Sequence, residues 1–214
     1  LNLGGEEVDA TLFRISYVGD TGWEIYVSWD NATKLWDALM EAGADLGIRA
    51  TGGGVYGTSG RIEKGYRLQG AELESEYNPL EAGLARPKVK SADFIGKDAY
   101  LAAREAGDPE VLLCTMTVAD QTDSPGRIRW MQGCNEPLCD MDGNTIMDSH
   151  QRVSRVTTAG YAPSVAKMVL MGYLPRDMAA AGTKIQVMYM NEYFPVTVVG
   201  TNGPFDPEDT RLKG

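Results

Sequence analysis

The texture of the sequence after residue 110 constrains the fold most. Residues 111–118, 152–156, 168–173, 184–190 and 194–199 are short apolar or β-branched runs bounded by turn residues. Such runs read as strands, because branched and aromatic side chains suit a pleated, half-buried surface. Asp142-Gly143-Asn144 is a strong turn signal, and Asn191-Glu192 holds a short hairpin position. Strands that follow one another through short turns build antiparallel sheets. This part is expected to be mostly β, a barrel or jelly-roll-like module.

The earlier part has a different rhythm. Residues 8–18 and 23–27 read as strands. Asp30 or Asn31 is expected to cap a helix through about residue 44, with Leu35, Trp36, Leu39 and Met40 on one stripe. A second helix is expected over residues 55–64, stopped by Gly65 and opposed from within by Gly57 and Gly60. Residues 66–83 look like a loop, and a third helix over 96–106 closes at Gly107-Asp108-Pro109. A change of texture falls near residues 107–110, and the whole reads as α+β.

Composition removes several function classes. A net charge of −10 argues against nucleic acid or an anionic membrane as the main partner. No apolar run approaches the roughly 18 residues of a membrane span. Cys114, Cys134 and Cys139 form no metal-type pair, and their odd, low number fits a reducing compartment. His150 is the only histidine, which leaves no His-cluster metal site and no catalytic metal expectation. The chain starts at Leu1 directly in strand-like sequence, so it reads as the back part of a longer protein.

Ser16-Tyr17-Val18-Gly19-Asp20-Thr21-Gly22-Trp23-Glu24-Ile25-Tyr26-Val27 carries the chemistry. Tyr17 and Glu24 flank a glycine-rich turn, one on each lip. A carboxylate among aromatics suits a flat, nitrogen-rich heterocycle. It can accept two parallel N–H bonds while rings pack on the faces.

Tyr17 to Glu24, Arg61-Ile62-Glu63-Lys64-Gly65-Tyr66-Arg67, Pro79-Leu80-Glu81-Ala82-Gly83-Leu84, Asp93-Phe94-Ile95-Gly96-Lys97, Thr157 to Ser164 and Met171-Gly172-Tyr173-Leu174-Pro175 together resemble the aminomethyltransferase (T-protein) family of glycine cleavage. The wording is most similar to the folate-binding region of dimethylglycine and sarcosine dehydrogenases. The resemblance implies a ferredoxin-like α/β folate-binding domain that ends within residues 1–85, a linking helix segment over 86–110 and a C-terminal β-barrel over 111–214. It implies that Tyr17, Glu24 and Arg61 bind tetrahydrofolate or its 5,10-methylene form, with Glu24 accepting from the pterin. It also implies a one-carbon transfer from a methylated amine. The catalytic aspartate of the family sits in a first domain with no counterpart in this chain, so no catalytic residue is assigned. That missing N-terminal domain is an expected partner, and FAD is implied only if a dehydrogenase domain lies upstream. The resemblance fits a cytoplasmic protein, or a mitochondrial matrix one. T-proteins carry an arginine one turn before the Arg-Leu-Glu motif, and this chain has Gly57 there.

Blander readings stand beside these. A non-catalytic folate-binding or protein-interaction module could use the same scaffold. Folate-binding iron–sulfur maintenance proteins share the fold, but their Lys-Gly-Cys motif reads Lys64-Gly65-Tyr66 here. Arg61 and Glu63 could form an ion pair at a helix end. Gly52-Gly53-Gly54 lacks the Lys-Ser/Thr of a phosphate loop and reads as a turn. Cys134 and Cys139 read as loop thiols, His150 as a surface residue, Glu72, Glu74 and Glu76 as a solvated face, and Tyr161 and Tyr173 as barrel core.

Overall fold

The computed structural model describes residues 1–85, 88–133 and 135–213; Cys134 and positions 86 and 87 of the expected linking segment lie outside them. The chain begins with a small hairpin of β1 (Asn2–Leu3) and β2 (Glu6–Glu7). Next come β3 (Thr11–Phe13) and β4 (Glu24–Tyr26), antiparallel, with Phe13 opposite Glu24. Helix α1 (Ala32–Ala42) follows. A π-helical turn, Val55–Gly60, then runs directly into α2 (Arg61–Glu63). Helix α3 (Lys97–Glu105) leads to the second half.

That half contains β5 (Val111–Val118), β6 (Leu138–Cys139), β7 (Val156–Ala162), β8 (Lys167–Pro175), β9 (Lys184–Tyr189) and β10 (Glu192–Gly200), with α4 (Thr210–Lys213) in the tail. The six strands form one antiparallel sheet in the order β6-β9-β10-β5-β8-β7. It curls until its two ends meet. Leu138 N–H donates to Ser154 O and Val156 N–H to Glu136 O, each at 2.9 Å. Alternate side chains of β5 and β8 serve two cores. Cys114, Met116, Leu170 and Leu174 point into the curl, among Leu138, Ile185, Val187 and Phe194. Leu113, Val169, Met171 and Tyr173 point outward and pack on Ile62 and Ala82 from the first half. Burial on both faces explains why these two strands read as continuous apolar runs. Gly160 of β7 permits this packing, because a Cβ there would sit 3.1 Å from Thr58 Cγ2 and 3.7 Å from Ile62.

The mostly β expectation for the second half holds, and the hairpin at Asn191 is a tight turn with Met190 and Asn191 both at positive φ. Other expectations need correction. Residues 152–156 are mainly loop, since Asp148 accepts from the Arg152 N–H at 2.9 Å; the strand is Val156–Ala162. Of residues 8–18 only Thr11–Phe13 pairs, because Ser16 Oγ accepts from the Val18 and Gly19 N–H groups and bends the chain. Neither Asp30 nor Asn31 caps α1; Trp29–Asn31 form a 3₁₀ turn with no side-chain cap bond. Of the expected helix stripe only Leu35 is buried, and Trp36 is 54% exposed.

Several side chains also sit elsewhere than expected. Glu72 is fully buried rather than on a solvated face, and Glu63 accepts from Ser164 N–H at 2.8 Å while Arg61 pairs with Glu72. Tyr173 is core, but Tyr161 is 38% exposed and meets Trp130 edge to face. Cys139 is a buried strand residue rather than a loop thiol. Burial pushes the Cys114 thiol up to about 12, which keeps it unreactive at neutral pH.

Candidate functional site

Glu24 opens β4 directly after the glycine turn. Its two carboxylate oxygens are held separately. Tyr26, two residues on and so on the same strand face, donates to Oε2 at 2.6 Å; Tyr56 of the π-helical turn donates to Oε1 at 3.1 Å. Tyr17 stands beside this pair. Its hydroxyl donates to Arg67 O at 2.7 Å, its ring meets that of Tyr56 at 5.2 Å with a 47° tilt, and Tyr66 stacks on it at 6.0 Å. The structure thus connects Tyr17 and Glu24 through Tyr56. The phenol pKa values respond to this setting. Hydrogen bonding to Glu24 is the largest cause that raises Tyr26, whereas burial leads for Tyr56 and Tyr17.

The turn rests on a built base. Gly19 has φ +84°, and a Cβ there would fall 2.2 Å from Lys64 Cγ, so only glycine lets the turn lie on the lysine stem. Lys64 Nζ in turn donates to Asp209 Oδ1 at 2.7 Å and to Asp206 O. The tail that carries these aspartates also binds the turn directly, through Arg211 Nε to Asp20 Oδ1 at 2.7 Å and Thr21 Oγ1 to Arg211 O at 3.2 Å.

Arg61 lies one layer beneath. It is 2% exposed and its guanidinium meets protein acceptors: Gly57 O at 2.9 Å, Tyr66 O at 3.0 Å, Glu72 Oε2 at 2.9 Å and Thr158 Oγ1 at 2.9 Å. Glu72 also accepts from both Thr157 and Thr158 hydroxyls at 2.6 Å. Arg61 therefore touches the aromatic group through the Gly57 and Tyr66 carbonyls. Gly57, where a cation was missing from the sequence, has open space for a side chain.

The sequence reading missed Tyr26 and Tyr56. Tyr26 carried a usable signal, the i, i+2 spacing from Glu24 on a strand. Tyr56 carried none, because it arrives from a turn 32 residues away. Beside the turn a cleft of about 150 Å³ is lined by Arg14, Ile15, Ser16, Thr21 and Gly22, without Glu24 or Tyr17. The larger cavity of about 480 Å³ lies elsewhere, between Pro79, Leu84, Phe94 and Tyr100 with Lys88 and Lys90 at its rim. No carboxylate lines it. Among the described residues no group of His, Cys, Asp and Glu could hold a metal ion, and no helix is long and apolar enough to cross a membrane.

The family described as the GCVT N-terminal domain matches residues 3–89, and the glycine cleavage T-protein C-terminal barrel domain matches residues 131–205. An aminomethyltransferase of Halothermothrix orenii is 35% identical over 92% of this chain and 50% of its own length. The mitochondrial dimethylglycine dehydrogenase of Mus musculus is 30% identical over 90% of this chain and 20% of its own. The chain thus spans about half the length of the aminomethyltransferases it matches. In fold it is similar to the glycine cleavage system aminomethyltransferase T of Bartonella henselae, with a TM-score of 0.73 over 91% of this chain and 49% of that one, at 24% identity.

Proposed function

Because the chain belongs to the glycine cleavage T-protein (aminomethyltransferase) family, we propose that it is the folate-binding C-terminal part of an enzyme that passes a one-carbon unit from a methylated, glycine-derived amine to tetrahydrofolate. The observation that carries this reading is Glu24, a carboxylate whose two oxygens accept from Tyr26 and Tyr56, the latter in ring contact with Tyr17. A carboxylate accepts two parallel N–H bonds, which matches the amino group and ring N–H on one edge of a pterin. Tetrahydrofolate, when bound, supplies the nitrogens that capture the one-carbon unit. The chain's own residues grip the pterin edge at Glu24, pack its face with Tyr17 and hold the assembly through Arg61. Fixing the acceptor in place reduces the chance that water meets the reactive carbon first.

In this reading a further domain of a longer protein would cover the hairpin that carries Glu24. Phe13, Trp23 and Trp29 are all more than half exposed on the same stretch as the hairpin. Aromatic surface of that density suits burial against another domain. In this division residues 1–85 finish the folate-binding domain, residues 86–110 link, and residues 111–214 form the barrel. FAD enters only with an upstream dehydrogenase domain, and the protein works in the cytoplasm or, in a eukaryote, the mitochondrial matrix. Gly57 favours a second reading, a folate-binding or interaction module without catalysis, because it removes a cation expected near the anionic end of folate.

Calorimetry of the 214-residue chain with folate, beside its Glu24→Gln variant, tests the pterin grip. Equal binding by both ends it. A version extended upstream should convert N-methylated glycines only when tetrahydrofolate is present, and turnover indifferent to folate removes the transferase reading.

A further inference from the structure

Glu24 is more tightly arranged than a pterin acceptor requires. Each of its oxygens already accepts one phenol, and a carboxylate offers about four lone-pair sites, so two remain. Neither phenol is placed by accident. Tyr26 is fixed by the strand and by edge-on contact with Phe13 at 5.5 Å. Tyr56 is fixed by the π-helical turn, a rare geometry that moves a side chain off the ordinary helical spacing. Three contacts support that turn. Arg61 Nε takes the Gly57 carbonyl at 2.9 Å, Gly60 lies so close to Val18 and to Val55 O that a Cβ would come within 2.9 Å of both, and the Tyr56 ring leans on Tyr17. The buried Arg61 is in turn held by Glu72, Thr158 and Tyr66 O.

We propose that Tyr26 and Tyr56 are specificity-determining residues. One phenol on each carboxylate oxygen locks the plane of Glu24, so that its remaining lone pairs form a paired acceptor for two adjacent N–H groups. The ligand class this selects is a heterocycle with an amino group next to a ring N–H, in preference to one that carries a carbonyl oxygen in place of that amino group. A carbonyl there would face the carboxylate with two acceptors and no proton between them. The proposal rests on the pterin reading above and adds the residues that set its selectivity. Arg61 acts on the same selectivity as a positioning residue, through the turn that carries Tyr56.

The test compares two probes on the 214-residue chain, folic acid and its analogue with oxygen in place of the 2-amino group, by calorimetry. Tyr26→Phe and Tyr56→Phe keep the rings and remove only the hydroxyls; both side chains are about half exposed, so the fold is not at stake. The unaltered chain should prefer folic acid by at least about tenfold, and each variant should reduce that ratio by about threefold to tenfold, the scale of one ordinary hydrogen bond. A merely structural role for the phenols would weaken both probes alike and leave the ratio unchanged, and that result overturns the proposal while Glu24→Gln still tests the pterin reading separately. If the unaltered chain binds folic acid without preferring it over the analogue, the proposal is also overturned. No binding of folic acid by the unaltered chain overturns both readings together.

Discussion

Arg61 Nη1 donates to Glu72 Oε2 at 2.9 Å, and neither side chain is more than 2% exposed. Eleven residues separate them in sequence, and the pair ties the end of the π-helical turn to the loop before the barrel. Thr157 and Thr158 of β7 complete the shell around Glu72. Removing one partner strands the other charge in a dry site. Arg61→Ala and Glu72→Ala are each expected to cost about 3–5 kcal/mol in urea denaturation. Replacing both with apolar residues of similar volume, Arg61→Met with Glu72→Leu, is expected to cost less than either single change, because no lone charge then remains.

The C-terminal tail is expected to loosen in acid. The Thr210 hydroxyl is the main cause that holds Asp206 down to about 2, aided by the Arg211 and Thr210 N–H groups and by Lys64, against the opposing effect of burial. A carboxyl depressed in the folded state favours folding in its ionised form. Its contribution is whole above the unfolded value near about 4 and is lost as pH falls through that value toward 2. Hydrogen exchange in residues 203–211 should therefore accelerate between about pH 4 and pH 2. Asp206→Asn should show the loosened tail already at neutral pH.

Gly203 is the point where that tail crosses the end of α2. A Cβ there would lie 2.1 Å from Glu63 O and 2.2 Å from Lys64 C, both backbone atoms that cannot turn aside. Gly203→Ala is expected to destabilise by about 1–3 kcal/mol or to peel the tail away, whereas Gly4→Ala meets no neighbour and costs only its left-handed backbone strain. Melting temperatures of the two variants, with proteolysis of the tail as a second readout, separate these effects.

How much of this was legible in the sequence follows the reach of each interaction. Strand β5 was read with its full length and the later hairpin with its turn, since both depend on alternation and on residues that are neighbours in the chain. Glu72 was misread because Glu72, Glu74 and Glu76 look alike locally. Only Arg61 and β7, brought in by the tertiary fold, single out the first as buried, while the other two stay outside to meet Arg155. Glu24 and Tyr17 were picked from their positions on one turn. The partners that fix Glu24 divide the same way: Tyr26 is two residues distant, and Tyr56 comes from a separate helix. The closing of the sheet onto itself, through Glu136 and Ser154, has no sequence signature of its own.

The Tyr26 phenol offers an optical test of its bond to Glu24. That bond is the largest cause that raises its ionisation above the ordinary value near about 10. Alkaline titration followed by tyrosinate absorbance should show a component that moves to lower pH in Glu24→Gln, because the variant removes the negative charge that opposes a phenolate. A titration unchanged between the two proteins would mean that the 2.6 Å contact is not kept in solution.

Gly57 permits a gain-of-function experiment. Its Cβ position has nothing within 4 Å, and it carries no positive φ, so a side chain fits without backbone strain. Replacing glycine within a helical turn also removes backbone entropy, and Gly57→Arg should stabilise by a few tenths up to about 1 kcal/mol. T-proteins, which this chain resembles, carry arginine at that place. If the anionic tail of folate passes there, the new cation should tighten binding by up to about fivefold, the equivalent of about 1 kcal/mol for a partly exposed pair. That gain should shrink as salt is added, because exposed charges more than about 8 Å apart are screened at physiological ionic strength and closer ones are weakened. Folate binding by Gly57→Arg and the unaltered chain at low and high salt decides the matter. Equal affinities at low salt would place the glutamyl end of the ligand away from the π-helical turn, and the search for its cation would move to Arg14 in the cleft beside Gly22.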